Sequence, residues 1–167
     1  MSTSSRRTFL AASTAFSLGR VLGANDKVNI GIVGTGGRGN DHIKAYATLP
    51  DARIVALCDV NQAALETSQA AVKKLTGEQP TGYDDMRKLF ADKNVDAVSI
   101  TTPNHWHTLS TIWACQAGKD VYCEKPACYN VHEGERMIEV ARKSGRMVQI
   151  GSQSRSLPYK MKAIQLL

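Results

Sequence analysis

Residues 28–39 read VNIGIVGTGGRG, and this stretch decides the fold. Its first six residues form a short apolar run with the composition of a buried β-strand. Three glycines then follow at the spacing G-x-G-x-x-G, at Gly34, Gly36 and Gly39, and a helical pattern begins at the last of them. A strand, a glycine-rich loop and a helix in this order are what a dinucleotide-binding turn requires.

An acidic residue stands where such a turn needs one, because Asp59 ends the second predicted strand, 20 positions after Gly39. Its carboxylate can accept hydrogen bonds from the adenosine ribose, while the N–H groups at the start of the helix face the phosphates. The negative charge of Asp59 would repel a 2′-phosphate, so NAD is favoured. Arg38 could reach a phosphate of either cofactor and keeps NADP open. The candidate cofactor contacts in the loop are Gly34, Thr35, Gly36, Gly37, Arg38 and Gly39.

Strands and helices alternate along the rest of the chain. The predicted strands after the first are 52–60, 95–101, 120–124 and 147–150, and the predicted helices are 39–49, 62–75, 84–91, 105–117, 131–144 and one that begins at Leu157. Strands separated by helices of roughly 10–15 residues predict right-handed βαβ units. The expected fold is therefore α/β, a doubly wound parallel sheet of the Rossmann type with helices on both faces.

Two further loops are expected at the carboxyl edge of this sheet, where ligands bind in open α/β folds. The sequence Thr102-Pro103-Asn104 follows one predicted strand, and Glu124-Lys125-Pro126 ends the next. Taken alone, Lys125 is either a surface charge or a lysine that binds substrate and moves a proton. The residues themselves leave that choice open.

Together these motifs resemble the Gfo/Idh/MocA oxidoreductases. The matching segments are residues 34–39, 58–59, 83–84, 96–107 and 118–126, and the resemblance covers about residues 27 to 153. It implies an N-terminal Rossmann domain that binds NAD or NADP, followed by an α/β substrate domain. It also implies hydride transfer between the cofactor and a sugar or polyol.

The resemblance implies roles for individual residues. Lys125 matches the family lysine that touches the substrate hydroxyl and assists proton transfer, and Glu124 matches the glutamate near the nicotinamide ribose. The loop on the nicotinamide side is matched by Thr102, Pro103, Asn104 and His107. After the last predicted strand, Gln153 is a further candidate contact, ahead of Arg155.

The first 24 residues are predicted to be an export signal. The sequence Ser5-Arg6-Arg7-Thr8-Phe9-Leu10 resembles the twin-arginine motif and precedes a mildly apolar stretch. A disordered basic tail and an uncleaved membrane anchor are the alternatives. The expected domains are thus the signal at 1–24, the Rossmann domain at 25–153, and at 154–167 the start of a truncated substrate domain. The expected location is the periplasm, with the twin-arginine export machinery as a partner.

Composition argues against several other classes of protein. The formal charge is +6, but three basic residues lie in the first 24 positions, which contain no acid. The remaining charges are scattered, so no nucleic-acid partner is expected. No apolar run approaches the roughly 20 residues of a membrane span. The cysteines and histidines show no metal-ligand spacing, so no metal is expected. Buried free thiols are predicted at Cys58, Cys115 and Cys123.

Three functions therefore stand side by side. The first is an exported oxidoreductase that acts on a sugar or polyol with tightly bound NAD and is homo-oligomeric at full length. The second is an exported glycosidase that uses bound NAD as a recycled redox helper. The third is a non-catalytic nucleotide-binding fragment.

Overall fold

The computed structural model describes residues 27–153 and 157–166. The strands are β1 (Val28–Val33), β2 (Ala52–Cys58), β3 (Thr81–Tyr83), β4 (Ala97–Ile100), β5 (Asp120–Cys123) and β6 (Val148–Ile150). The helices are α1 (Arg38–Ala47), α2 (Gln62–Thr76), α3 (Met86–Ala91), α4 (His107–Gln116), α5 (Val131–Ser144) and α6 (Pro158–Gln165). The predicted export signal at 1–24 and the candidate Arg155 lie outside the described residues.

All six strands run parallel in one sheet, in the order β3-β2-β1-β4-β5-β6. The chain builds outward from β1 to β3, then crosses back to place β4 on the other side of β1. This reversal confirms the predicted doubly wound α/β fold. It also creates a switch point between the loops after β1 and β4, which is where such sheets bind ligands.

Strand β3 was missed by the sequence analysis. It contains only three residues, of which two are exposed, and Gly82 stands at its centre. Such a segment carries no apolar alternation, and only its pairing with β2 makes it a strand. The predicted second strand also ends earlier than expected, at Cys58, which leaves Asp59 in the loop that follows β2.

Helices cover both faces of the sheet because side chains alternate along each strand. One face packs under α1 and α2, and its buried core is Ile30, Ile32, Ile43, Ile54, Leu57, Leu65 and Val72. The other face packs under α3, α4 and α5 around a larger cluster that includes Leu89, Val98, Ile100 and Val121. Helix α6 contributes no buried residue.

The cysteines agree with the prediction of free thiols, since Cys58, Cys115 and Cys123 are all buried and unpaired. Within the described ranges, no three acidic, cysteine or histidine side chains are grouped as a metal site would need. Across residues 27–153 and 157–166, no helix combines the length and the apolar character needed to span a membrane.

The close approach of α1 to the loop after β1 predicts a sharp difference between two glycines. A Cβ on Gly39 would collide with the carbonyl oxygen of Gly34, whereas a Cβ on Gly36 would find its nearest neighbour at 3.8 Å. We expect Gly39→Ala to lower the free energy of unfolding by about 1–3 kcal/mol. Gly36→Ala should change it by less than about 0.5 kcal/mol.

Urea unfolding of the two variants beside the unmodified chain measures this difference. Equal midpoints for both variants would show that the backbone approach does not require a glycine at Gly39.

Candidate functional site

The carboxyl ends of β1, β2 and β4 border a crevice of about 900 Å³. That volume is within the range of about 300–1,000 Å³ that is usual for small-molecule sites. Six of the predicted cofactor residues line the crevice, and these are Gly34, Gly36, Gly37, Asp59, Thr102 and Pro103. The fold therefore gathers one part of the predicted site around a single cavity.

The glycine loop is held between β2 and β4. Gly34 has a φ of +89°, and a Cβ on it would lie 2.8 Å from the backbone nitrogen of Thr102. Its own N–H donates to the carbonyl oxygen of Cys58 at 2.8 Å. The Oγ1 of Thr101 lies 3.0 Å from the carbonyl oxygen of Val33. Thr101 thus helps to fix the loop, a role that sequence analysis did not assign to it.

The start of α1 is suited to an anion. Gly37 is the N-cap residue and provides no side-chain hydrogen bond, so no side chain caps the first N–H groups of the helix. These groups lie at the positive end of the helix dipole. Gly36 lines the crevice and has no side chain to cover its backbone there. A pyrophosphate can therefore approach the backbone here, as NAD requires.

Asp59 fastens the tip of the loop to the end of β2. Its Oδ2 accepts hydrogen bonds from the backbone N–H groups of Thr35, at 2.7 Å, and Gly36, at 3.1 Å. Its Oδ1 accepts from the N–H of Asn61 at 2.9 Å. The carboxylate is thus beside the crevice, where the predicted ribose contact would place it. That contact stays a prediction.

The far wall of the crevice contains an aromatic group that sequence analysis missed. The guanidinium of Arg87 lies 5.8 Å from the centre of the Trp113 ring, and both side chains line the cavity with Trp106. These residues come from α3, α4 and the turn before α4, so no local motif connects them.

Thr102 offers the clearest sign of a missing partner. Its Oγ1 is buried and has no hydrogen-bond partner among the described residues. A buried hydroxyl is normally paired. The Oγ1 atoms of Thr108 and Thr111 are unpaired among these residues as well, but of the three residues Thr102 is the one that lines the crevice, where a ligand would supply the partner. Together with the start of α1, which no side chain caps, and with Gly36 in the lining, it shows that the residues present fit NAD.

His107, in contrast, is buried and joins two loops. Its Nδ1 lies 2.6 Å from the carbonyl oxygen of Pro126, and its Nε2 lies 2.8 Å from the carbonyl oxygen of Thr102. The imidazole therefore holds the loop after β5 against the loop after β4. Asn104 begins the short 3₁₀ turn that leads to this histidine.

The remaining predicted residues gather around Glu124, next to the crevice rather than in its lining. The Oε1 of Glu124 accepts hydrogen bonds from Arg38 Nε at 3.0 Å and from His42 Nε2 at 2.8 Å. Its Oε2 accepts hydrogen bonds from Gln153 Nε2 at 2.8 Å and from the backbone N–H of Lys125 at 3.2 Å. Burial alone would raise the pKa of Glu124, but the hydrogen bonds from Arg38 and His42 leave it below its usual value.

Lys125 itself is exposed at the carboxyl edge of β5. In the part of the chain that the structure describes, its Nζ has no hydrogen bond or ion pair. The predicted proton-transfer role therefore falls on an amine that is accessible to a substrate.

The lowered pKa of Glu124 predicts how stability depends on pH. A carboxyl group with a lower pKa in the folded chain stabilises it above the unfolded value, near 4.5, and loses that contribution as the pH falls through the folded value. We expect Glu124→Gln to cost about 1.5–3 kcal/mol at pH 7 and to flatten the decline in stability below pH 4.5.

Urea unfolding between pH 3 and pH 7 measures both effects. The control is Glu135→Gln, which changes an exposed carboxylate on α5 and should leave the curve as it is. A Glu124→Gln curve that falls as steeply in acid as the unmodified curve would contradict the assignment.

Comparison with known proteins identifies the family. Residues 28–152 match the family model GFO_IDH_MocA, which describes an oxidoreductase family with an NAD-binding Rossmann fold. Inositol 2-dehydrogenase of Salmonella typhimurium is 40% identical over 123 residues, which are 72% of this chain and 35% of that protein. A glycosyl hydrolase family 109 protein of a Shewanella species is 30% identical over 131 residues, 76% of this chain and 28% of that protein.

Solved structures give the same result. The scyllo-inositol dehydrogenase from Lactobacillus casei with bound NAD(H) and scyllo-inositol aligns with a TM-score of 0.76 at 28% identity, over 84% of this chain and 41% of that one. The WlbA dehydrogenase from Bordetella pertussis in complex with NADH and UDP-GlcNAcA has a TM-score of 0.75 at 30% identity, over 84% and 42%.

The chain spans 35% and 28% of the lengths of the two relatives matched by sequence. Within that part, the matched residues begin with β1 and end just after β6. They confirm the predicted fold and the predicted NAD cofactor. The chain belongs to the Gfo/Idh/MocA oxidoreductase family and forms the NAD-binding Rossmann domain of that family.

Proposed function

We propose that the protein that contains this chain oxidises a secondary hydroxyl of a polyol of the inositol class, with NAD as the electron acceptor. The observation that carries the proposal is Lys125, whose side-chain amine is exposed and whose backbone N–H donates to Glu124. The same carboxylate accepts a hydrogen bond from Arg38 of the glycine loop. The loop binds the cofactor, so the lysine is tied to the place where the cofactor lies. The likeness to inositol dehydrogenases supports the substrate class.

The chemistry divides between the cofactor and the chain. NAD, when bound, supplies the acceptor for the hydride of the carbinol carbon. The hydroxyl proton must leave the same carbinol as its C=O bond forms, and the side chain of Lys125 is the group that takes it. Asp59 and the start of α1 hold the ribose and the pyrophosphate, which keeps the reacting carbon at the carboxyl edge of the sheet.

A second candidate rests on the similarity to the glycosyl hydrolase family 109 proteins. Such a protein would use bound NAD as a recycled redox helper, so that it cleaves a glycoside with no net change in nicotinamide absorbance. Export through the twin-arginine pathway and assembly of the full-length protein into a homo-oligomer remain predictions beside both candidates.

Cofactor binding is tested on this chain by fluorescence titration with NADH and NADPH. We expect tighter binding of NADH, because Asp59 repels a 2′-phosphate. Gly36→Ala should weaken NADH binding about tenfold or more, since its methyl group occupies the approach of the pyrophosphate to the backbone.

Gly36→Ala is expected to leave the free energy of unfolding nearly unchanged. A loss of NADH binding in this variant would therefore come from the binding site and not from unfolding. Equal affinity of the variant and the unmodified chain for NADH would contradict the placement of the pyrophosphate.

The role of Lys125 is tested in the protein that contains this chain. Lys125→Ala should lower kcat for polyol-dependent NAD reduction by about 10²–10⁴-fold, because the proton acceptor is lost, while the affinity for NADH stays the same. Lys143→Ala, an exposed lysine on α5, is the matched control.

Absorbance at the nicotinamide band follows the reaction with inositols and, separately, with an aryl glycoside. Cleavage of the glycoside without net absorbance change would favour the second candidate. Full activity of Lys125→Ala would remove the lysine from the mechanism.

A further inference from the structure

The carboxylate of Glu124 has no acceptor position left for a ligand. An ionised carboxylate accepts about four hydrogen bonds, two at each oxygen. All four donors come from the chain: Arg38 and His42 at one oxygen, Gln153 and the Lys125 N–H at the other. They belong to α1, to the loop after β6 and to the loop after β5. Glu124 therefore joins three parts of the site and does not need the cofactor to satisfy it.

His42 is the most deeply buried of these donors. It is 7% exposed, and its ring is packed edge-on between Tyr46 and Tyr122, with ring centres 6.0 and 5.5 Å away. Its second nitrogen, Nδ1, lies 2.7 Å from the hydroxyl oxygen of Ser99 on β4. Both ring nitrogens are thus engaged, and the ring packs between two aromatic neighbours.

The partners determine which nitrogen carries the proton. Because ionised Glu124 can only accept, the Nε2 of His42 must donate to it. In the neutral ring, Nδ1 then accepts from the Ser99 hydroxyl. The order hydroxyl, imidazole, carboxylate is also that of a serine hydrolase triad. Ser99, however, is 1% exposed within the sheet, so no substrate can reach its oxygen.

We propose that His42 is a positioning residue, which orients the Glu124 carboxylate and through it the backbone of Lys125. The contact between Glu124 and the Lys125 N–H is the longest of the four, at 3.2 Å, and is the one most readily lost when the carboxylate turns. His42 and Arg38 approach the same oxygen from successive turns of α1. The helix that begins at the phosphate loop therefore also positions the backbone of Lys125, through Glu124. This inference deepens the proposed function and rests on it for the role of Lys125.

Two substitutions separate the hydrogen bond from the shape of the side chain. His42→Gln can place an amide N–H near the position of Nε2 and so keeps the donor to Glu124. His42→Asn is shorter, places its amide near Nδ1, and leaves Glu124 without that donor. Rescue by glutamine and not by asparagine is a result that a merely space-filling role would not produce.

The first measurement is hydrogen exchange of the Lys125 amide in this chain, followed by NMR. We expect exchange to become about tenfold faster or more in His42→Asn, because the acceptor of that N–H is no longer held. His42→Gln should stay within about twofold of the unmodified chain. In the protein that contains this chain, the asparagine variant should lower kcat about tenfold with little change in KM for NAD.

The proposal would be overturned if the Lys125 amide exchanged equally fast in His42→Asn and in the unmodified chain. It would also be overturned if His42→Asn and His42→Gln accelerated that exchange equally. Should His42→Asn not fold, Ser99→Ala provides the test, since it keeps the imidazole and removes its second anchor. Exchange of the Lys125 amide should be faster in Ser99→Ala than in the unmodified chain. An unchanged exchange rate in that variant would also overturn the proposal. Failure of the unmodified chain to bind NADH would instead contradict the proposed function, while the amide measurement still decides the role of His42.

Discussion

Helix α1 begins so close to the end of β1 that only a glycine fits between the two backbones. Any side chain at Gly39 would strike the carbonyl oxygen of Gly34. The approach sets the start of α1 beside the crevice at the switch point of the sheet, where its uncapped N–H groups favour an anion. The same placement brings Arg38 and His42 to the edge of β5. One backbone contact therefore positions both the phosphate loop and the groups behind the lysine.

A buried carboxylate connects these two regions. Glu124 would be costly to bury alone, yet four hydrogen bonds from three segments keep it ionised and oriented. The side chain of the lysine that follows it is exposed, while Glu124 makes the structural contacts. A buried carboxylate with structural contacts and an exposed amine thus occupy adjacent positions of one short motif.

Local motifs explain which parts of the molecule could be predicted from the sequence. The glycine loop, Asp59 and Lys125 each carry their signal within a few residues, and apolar runs mark the long strands. Strand β3 and His42 carry none, because β3 exists through its pairing with β2 and the partners of His42 are 57 and 82 positions away. A histidine on an amphipathic helix resembles any other side chain of that face until the fold brings Ser99 to it.

Cys58 is a thiol at the crevice whose surroundings make it unreactive. This thiol lines the crevice, where burial, aided by the nearby charge of Asp59, raises its pKa to about 12. The thiolate is the form that reacts with peroxides, disulfides and alkylating reagents, and almost none of it exists at neutral pH. The cysteine beside the cofactor crevice is therefore chemically quiet, and neither oxidants nor thiol reagents should inactivate the domain through it.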